Sequence, residues 1–191
     1  MITNIIRSRE LLTKSSWNIQ SFLPQEKLKT GRQYRLTKPE ELVRERKERI
    51  TLSDNDTDIN YIGLENIEAG TGRIISFAPK QGYEIKSACK RFYKGDILYG
   101  RLRPNLNKVY FNDMIDSGVC STEILVLTPI AARINPIYFA ALLRTEPINN
   151  RIVSLVKGSA LPRVSPADFM QIEVPIPFFS SFGKFRWINE M

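Results

Sequence analysis

From Tyr61 to Pro129 the apolar residues tend toward every second position, in short runs (YIGLENI, RIISFA, DILYGRL, KVYF and STEILVL) separated by Gly, Asn, Asp and Pro. Side chains alternate between the two faces of a strand, so runs of this length and period fit strands and not helices. Five of them in succession predict a mainly antiparallel sheet or partial barrel. After Pro129 the texture turns helical. Asn135 is placed to cap a segment through Leu143 with Pro136 in its first position, Pro147 opens another that ends at Gly158, and Ser165 with Pro166 starts one more turn. The chain then returns to an extended run, IEVPIP, whose Pro175 and Pro177 have no N–H to give a neighbouring strand and so forbid a central position. The class is α+β, a mainly antiparallel sheet or partial barrel with peripheral helices.

Upstream, Thr37 with Glu40 three residues later and Pro39 in the first turn makes a capping-box start for a helix to about Arg49. Leu42 and Val43 are its only large apolar residues, whereas Glu40 with Arg44 and Glu45 with Arg49 form i,i+4 pairs. That composition predicts a surface helix, and residues 1–60 are expected to form an N-terminal helical arm.

At 191 residues the chain has room for one ordinary domain and a small satellite. It contains no His, which removes the Ser-His-Asp triad, the Cys-His dyad and every His-ligated metal site. Cys89 and Cys120 are too few for a four-thiolate zinc site and are expected to be reduced thiols in or near the core. The opening MITNIIRSRELLTKSSW has no apolar run of signal-peptide length, and no window approaches a membrane span, so a cytoplasmic protein with no membrane partner is expected.

The net charge of +8 points toward a polyanionic partner, and most of it falls in one place. Residues 80–108 hold eight basic groups, among them Lys94, against Glu84 and Asp96. Within KGDILYGRLRPNLNK, residues 94–108, strand alternation puts Ile97, Tyr99, Arg101 and Arg103 on one face and Leu98, Gly100 and Leu102 on the other. With the leucines on the core, two guanidinium groups would face outward, suited to phosphates or to the O6 and N7 edge of guanine. Asn105, Asn107 and Lys108 follow on a turn, and amides suit adenine. The same residues would also fit arginines bridging to carboxylates within the protein. A second basic loop, KGSALPRVSPADF (157–169), carries Lys157, Gly158 at a helix end, and Arg163; an ordinary helix-to-strand connection would read the same way.

Four pieces, YIGLENIEAGTGRI (61–74), KGDILYGRLRPNLNKV (94–109), GVCSTEILVLTP (118–129) and KGSALPRVSPADFMQIEVPIP (157–177), together resemble, in their order and spacing, a target recognition domain of a type I restriction-modification specificity subunit. The resemblance implies a DNA target recognition domain over 61–177. It implies a role in reading one half of a bipartite site in double-stranded DNA, with no catalytic residues and no cofactor of its own, while methyltransferase and restriction subunits supply the chemistry. Carried onto this chain, the DNA-facing residues would be Lys94, Tyr99, Arg101, Arg103, Asn105, Asn107, Lys108, Lys157, Gly158 and Arg163, with STEILVL as core. The family's spacer helix is replaced by FFSSFGKFRWINEM, so residues 178–191 read as an aberrant aromatic tail and the chain as a truncated half-subunit, not expected to assemble normally with those partners.

Two other classes compete. The charge suits a basic RNA-binding domain, although the aromatic-basic ribonucleoprotein signature is missing. Glu84 and Lys86 form the ExK half of a Mg-dependent nuclease pattern, to which Asp54, Asp56 or Asp58 could add a carboxylate.

Overall fold

The run Ile124–Leu127 has no polar face, and such a strand is stable only where both of its faces are covered. In the computed structural model, which describes residues 31–156 and 161–178, this run lies at the centre of the protein. Among the described residues ten strands are formed: β1 (Tyr34–Thr37), β2 (Val43–Arg46), β3 (Arg49–Ile50), β4 (Tyr61–Ile62), β5 (Cys89–Tyr93), β6 (Ile97–Gly100), β7 (Val109–Phe111), β8 (Ser117–Ser121), β9 (Ile124–Pro129) and β10 (Val174–Pro177). The α-helices of the described residues are α1 (Pro39–Leu42), α2 (Pro136–Arg144), α3 (Glu146–Ser154) and α4 (Pro166–Met170).

One four-stranded sheet has the order β2-β9-β6-β7, a second β3-β5-β8-β4, and β1 pairs with β10 alone. All named pairings are antiparallel except β4 with β8. The first sheet is buried on both faces. Ile97, Tyr99, Leu125 and Leu127 pack with Phe139, Leu143, Ile152 and Phe169 of the helices. Leu98, Ile124 and Val126 on the opposite face pack with Ile62, Phe92 and Cys120 of the second sheet. The helices therefore cover one side and the second sheet the other.

Several boundaries fall where the residue chemistry puts them. The Asn135 Oδ1 accepts the Tyr138 N–H at 2.9 Å and opens α2, and the Ser165 Oγ accepts the Asp168 N–H at 3.0 Å and opens α4. The strand with two prolines, β10, sits in the two-stranded ribbon and not in either larger sheet. Cys89 and Cys120 are free and buried, and burial pushes the Cys120 thiol up to about 12, which keeps it protonated and unreactive at neutral pH.

The helix expected over 37–49 is a correction. Only α1 forms, one turn long, with the Lys38 N–H, not Thr37, capped by the Glu41 carboxylate at 3.1 Å. Val43 then extends and the chain continues as β2 and β3. The physical reason is burial: a helix with two large apolar residues has no core-facing stripe. Folded as one helical turn and a strand, the same segment buries Leu42 and Val43 fully, and β2 pairs with β9 from Val43–Pro129 to Arg46–Val126. The described part of residues 1–60 is thus not a helical arm, since β1, β2 and β3 each join a sheet. Residues 1–30 and the tail 179–191 lie outside the described residues.

Candidate nucleic-acid interface

The two basic segments singled out in the sequence meet at one end of β6. The strand stops at Gly100, and Arg101 to Arg103 runs beside residues 162–164. The Arg103 N–H donates to the Pro162 carbonyl at 2.8 Å, the Val164 N–H donates to the Arg101 carbonyl at 3.1 Å, and Leu102 and Arg163 form an antiparallel bridge. The Arg101 N–H donates to the Glu123 carbonyl at 2.9 Å, which ties in the turn before β9 as well. Three separate loops are fixed together by main-chain hydrogen bonds.

On this platform Arg103 takes a φ of 47° and Asn107 a φ of 52°, flanking a 3-10 turn over Pro104–Leu106. Left-handed backbone is costly for residues with a Cβ and persists only where the surroundings impose it. The Arg103 side chain is exposed and makes no ion pair or hydrogen bond with the described residues, and Asn105 beside it is exposed too. Arg101 is half-buried, with its Nε shielded from solvent and without a partner among the described residues.

The remaining candidates are placed differently. Tyr99 is a correction: it is 0% exposed, its ring centroid lies 4.7 Å from that of Phe169, and burial raises its hydroxyl pKa, so it is a core residue and not a surface one. The alternation that was to point it outward holds, but β6 is a central strand and both of its faces are interior. Arg163 forks onto Glu123, with Nε 2.9 Å from Oε2 and Nη2 2.8 Å from Oε1, so it holds the platform together and has little left for a ligand. Asn107 donates to the Arg144 carbonyl at 2.7 Å and closes the end of α2, while the Lys108 Nζ donates to the Leu64 carbonyl at 2.6 Å. Lys94 is exposed in the β5–β6 turn, at the far end of β6 from Arg101, with the length of that strand, about 13 Å at 3.3 Å per residue, between the turn and Arg101. Lys157 and Gly158 lie outside the described residues.

The charge concentration in 80–108 is partly spent inside the protein. Lys80 stands over the Tyr61 ring at 4.6 Å, Lys90 pairs with Glu45, Arg91 pairs with Glu48 at 2.9 Å, and Lys108 is engaged as above. Cations that sequence reasoning placed on a peripheral helix compensate for this. Arg44, Lys47 and Arg49 line a cleft of about 750 Å3 together with Lys90, Arg101, Glu40, Glu45 and Thr122, and Pro166, Ala167 and Met170 of α4 form part of its wall. For Arg44 the signal was the alternation in VRER, which the i,i+4 charge pairs obscured; Lys47 and Arg49 follow in the corner and in β3.

The hydrogen bonds from Arg163, followed by its charge, depress the Glu123 carboxyl pKa, and the Arg101 charge adds to this. A carboxyl depressed in the fold adds stability above its ordinary range, and that stability is lost as pH falls through the depressed value. The melting temperature of Glu123→Gln should therefore lack the fraction of the acid-limb decline that this pair adds in the parent; identical acid limbs for the two proteins would refute that.

No family model matches the chain. It is 26% identical over 117 residues to the Escherichia coli protein described as type I restriction enzyme EcoDI specificity subunit, a match covering 61% of this chain and 25% of that relative. Among solved structures, the HsdS subunit from Thermoanaerobacter tengcongensis superposes with a TM-score of 0.67 at 23% identity, over 80% of this chain and 40% of that one. The chain has the recognition-domain fold of a type I specificity subunit. A structure from work on complex assembly and conformational transition of the type I R-M system agrees equally well, with a TM-score of 0.67 at 23% identity. The S subunit from M. genitalium gives 0.51 at 14% identity over 81% of this chain. The chain spans about a quarter of the length of the curated relative and 40% of each of the two solved chains that superpose at 0.67.

Against this recognition-domain fold the nuclease reading has no support. The Glu84 carboxylate accepts the Gln81 N–H at 2.6 Å and that of Asp56 accepts the Ser53 N–H at 2.6 Å, so both stabilise turns. Among the described residues no group of three His, Cys, Asp or Glu is arranged to hold a metal ion, and no helix is long and apolar enough to cross a membrane.

Proposed function

We propose that this chain binds duplex DNA sequence-specifically, as the component of a type I restriction-modification system that reads one half of a bipartite site, with methyltransferase and restriction subunits supplying the chemistry. The observation that carries this reading is Arg103, an exposed guanidinium on a left-handed residue whose main chain is fixed to a second loop at 2.8 Å. A reader of bases needs a fork donor held in register, because a bidentate contact to guanine O6 and N7 discriminates only when its position is set. Asn105, exposed on the same turn, suits adenine N6 and N7. The likeness to specificity subunits supports the same reading. Tyr99, Asn107, Lys108 and Arg163 take structural roles within it, and Lys94 is too far along β6 to share one contact with Arg103.

The test compares Arg103→Ala with the parent on a duplex enriched by the protein and on a scrambled duplex. Loss of one bidentate base contact should weaken binding to the enriched duplex by about 1–3 kcal/mol and leave the scrambled one nearly unchanged. The melting temperature should not move, since the side chain is exposed and makes no hydrogen bond or ion pair with the described residues. Equal loss on both duplexes would make Arg103 a phosphate contact and remove it from base readout.

A further inference from the structure

The cleft beside this platform is lined by residues that lie before the four family-like pieces, apart from Lys90, Arg101, Thr122 and the α4 wall. Its charge is not internally balanced. Lys90 and Glu45 neutralise each other at 3.3 Å, and Glu40 accepts a hydrogen bond from Gln171. That leaves Arg44, Lys47, Arg49 and Arg101 against Glu40. Arg44 donates through one nitrogen to the Glu40 carbonyl and keeps its other donors. Lys47 is 81% exposed, with a 3.9 Å approach to Glu45 as its ion pair among the described residues, and the Arg49 side chain is exposed with no partner among them. The cations are spread along the chain from β2 through the corner into β3, with Arg101 from the end of β6 among the lining residues. A row of cations on one rigid corner suits a row of phosphates better than a single small anion.

We infer that this cleft is a clamp for the DNA phosphate backbone, in which Arg44, Lys47 and Arg49 grip successive phosphates while Arg103, beyond Arg101 in the chain, reads bases. The inference rests on the DNA-binding reading above and deepens it. It assigns affinity to the β2–β3 corner and specificity to the Arg103 turn. Phosphate contacts fix register and carry most of the salt dependence, whereas base contacts carry the sequence information, so the two roles can be measured apart.

The experiment uses the full chain and fluorescence anisotropy on the enriched and scrambled duplexes at several salt concentrations. The triple variant Arg44→Gln, Lys47→Gln, Arg49→Gln should flatten the slope of log K against log salt by about 2.7, from about 0.9 per phosphate. Between about 50 and 200 mM salt it should lose roughly 40-fold less affinity than the parent does. The ratio between enriched and scrambled duplexes should stay at the parent value. Lys47→Glu alone, at the most exposed of the three positions, should weaken both duplexes equally and serves if the triple variant melts early. A slope equal to the parent's in both variants, with the parent binding DNA, would overturn the clamp and leave the DNA-binding reading standing. A fall of the ratio toward one would overturn the division of roles. A parent with no salt-dependent DNA binding would overturn both readings.

Discussion

Replacing Lys90 with Met should lower the unfolding free energy by about 3–5 kcal/mol, the usual result of removing one member of a buried ion pair. Lys90 belongs to β5 of the second sheet, yet its Nζ lies 3.3 Å from the Glu45 carboxylate of β2 and 2.9 Å from the Ile124 carbonyl of β9, both in the first sheet. The side chains of the pair are 7% and 9% exposed. Without the ammonium group, the Glu45 carboxylate stays largely out of water with only the exposed Lys47 ammonium at 3.9 Å as counter-charge, and the carbonyl loses its donor. The double variant Lys90→Met, Glu45→Leu should recover most of the loss, because apolar residues of similar size remove both desolvated charges together. Urea unfolding of the parent, both single variants and the double variant measures the coupling. A single-variant loss under about 1 kcal/mol would mean that the seam between the sheets is held by apolar packing alone.

Phe169→Ala should be of similar size, about 3–5 kcal/mol, as for other buried aromatic truncations. Phe169 is 0% exposed and packs its ring on Tyr99 from α4, the helix that follows directly on the Arg163 loop. Its effect should reach the DNA interface. The Val164 N–H that bonds Arg101 lies one residue before the Ser165 cap, so a loosened α4 loosens the platform. DNA affinity should therefore fall with stability in Phe169→Ala, while Arg103→Ala lowers affinity for the preferred sequence at unchanged melting temperature. If Phe169→Ala unfolds earlier but binds the preferred duplex as the parent does at a temperature where both are folded, α4 does not position the loop.

The elements legible in the sequence are those with local chemistry. Asn135 with Pro136 and Ser165 with Pro166 mark α2 and α4 because a cap is satisfied within three residues, and the prolines of β10 exclude it from a central position without reference to anything distant. The errors came where distant partners decide. Residues 37–49 carry helix-like charge pairs, but the β9 edge and the buried Lys90 offered Val43 and Glu45 more as a strand than an isolated helix could. Tyr99 was assigned to the right face of β6, but alternation cannot say that both faces are covered. The charge count over 80–108 had the same weakness, since a basic side chain facing a carbonyl or a ring reads in sequence like one facing solvent. The meeting of residues 101–103 with 162–164, on which the interface depends, left no mark in either segment alone.

Enrichment from a pool of duplexes with a randomised segment tests the central claim most directly. The purified chain is offered the pool, and the retained DNA is sequenced over successive rounds. Convergence on one short run of bases is expected, including a guanine whose replacement weakens binding by about 1–3 kcal/mol in the parent and has almost no effect in Arg103→Ala. DNA that is retained in every round yet stays random in sequence would show a surface that holds phosphates without reading bases, and would contradict the account.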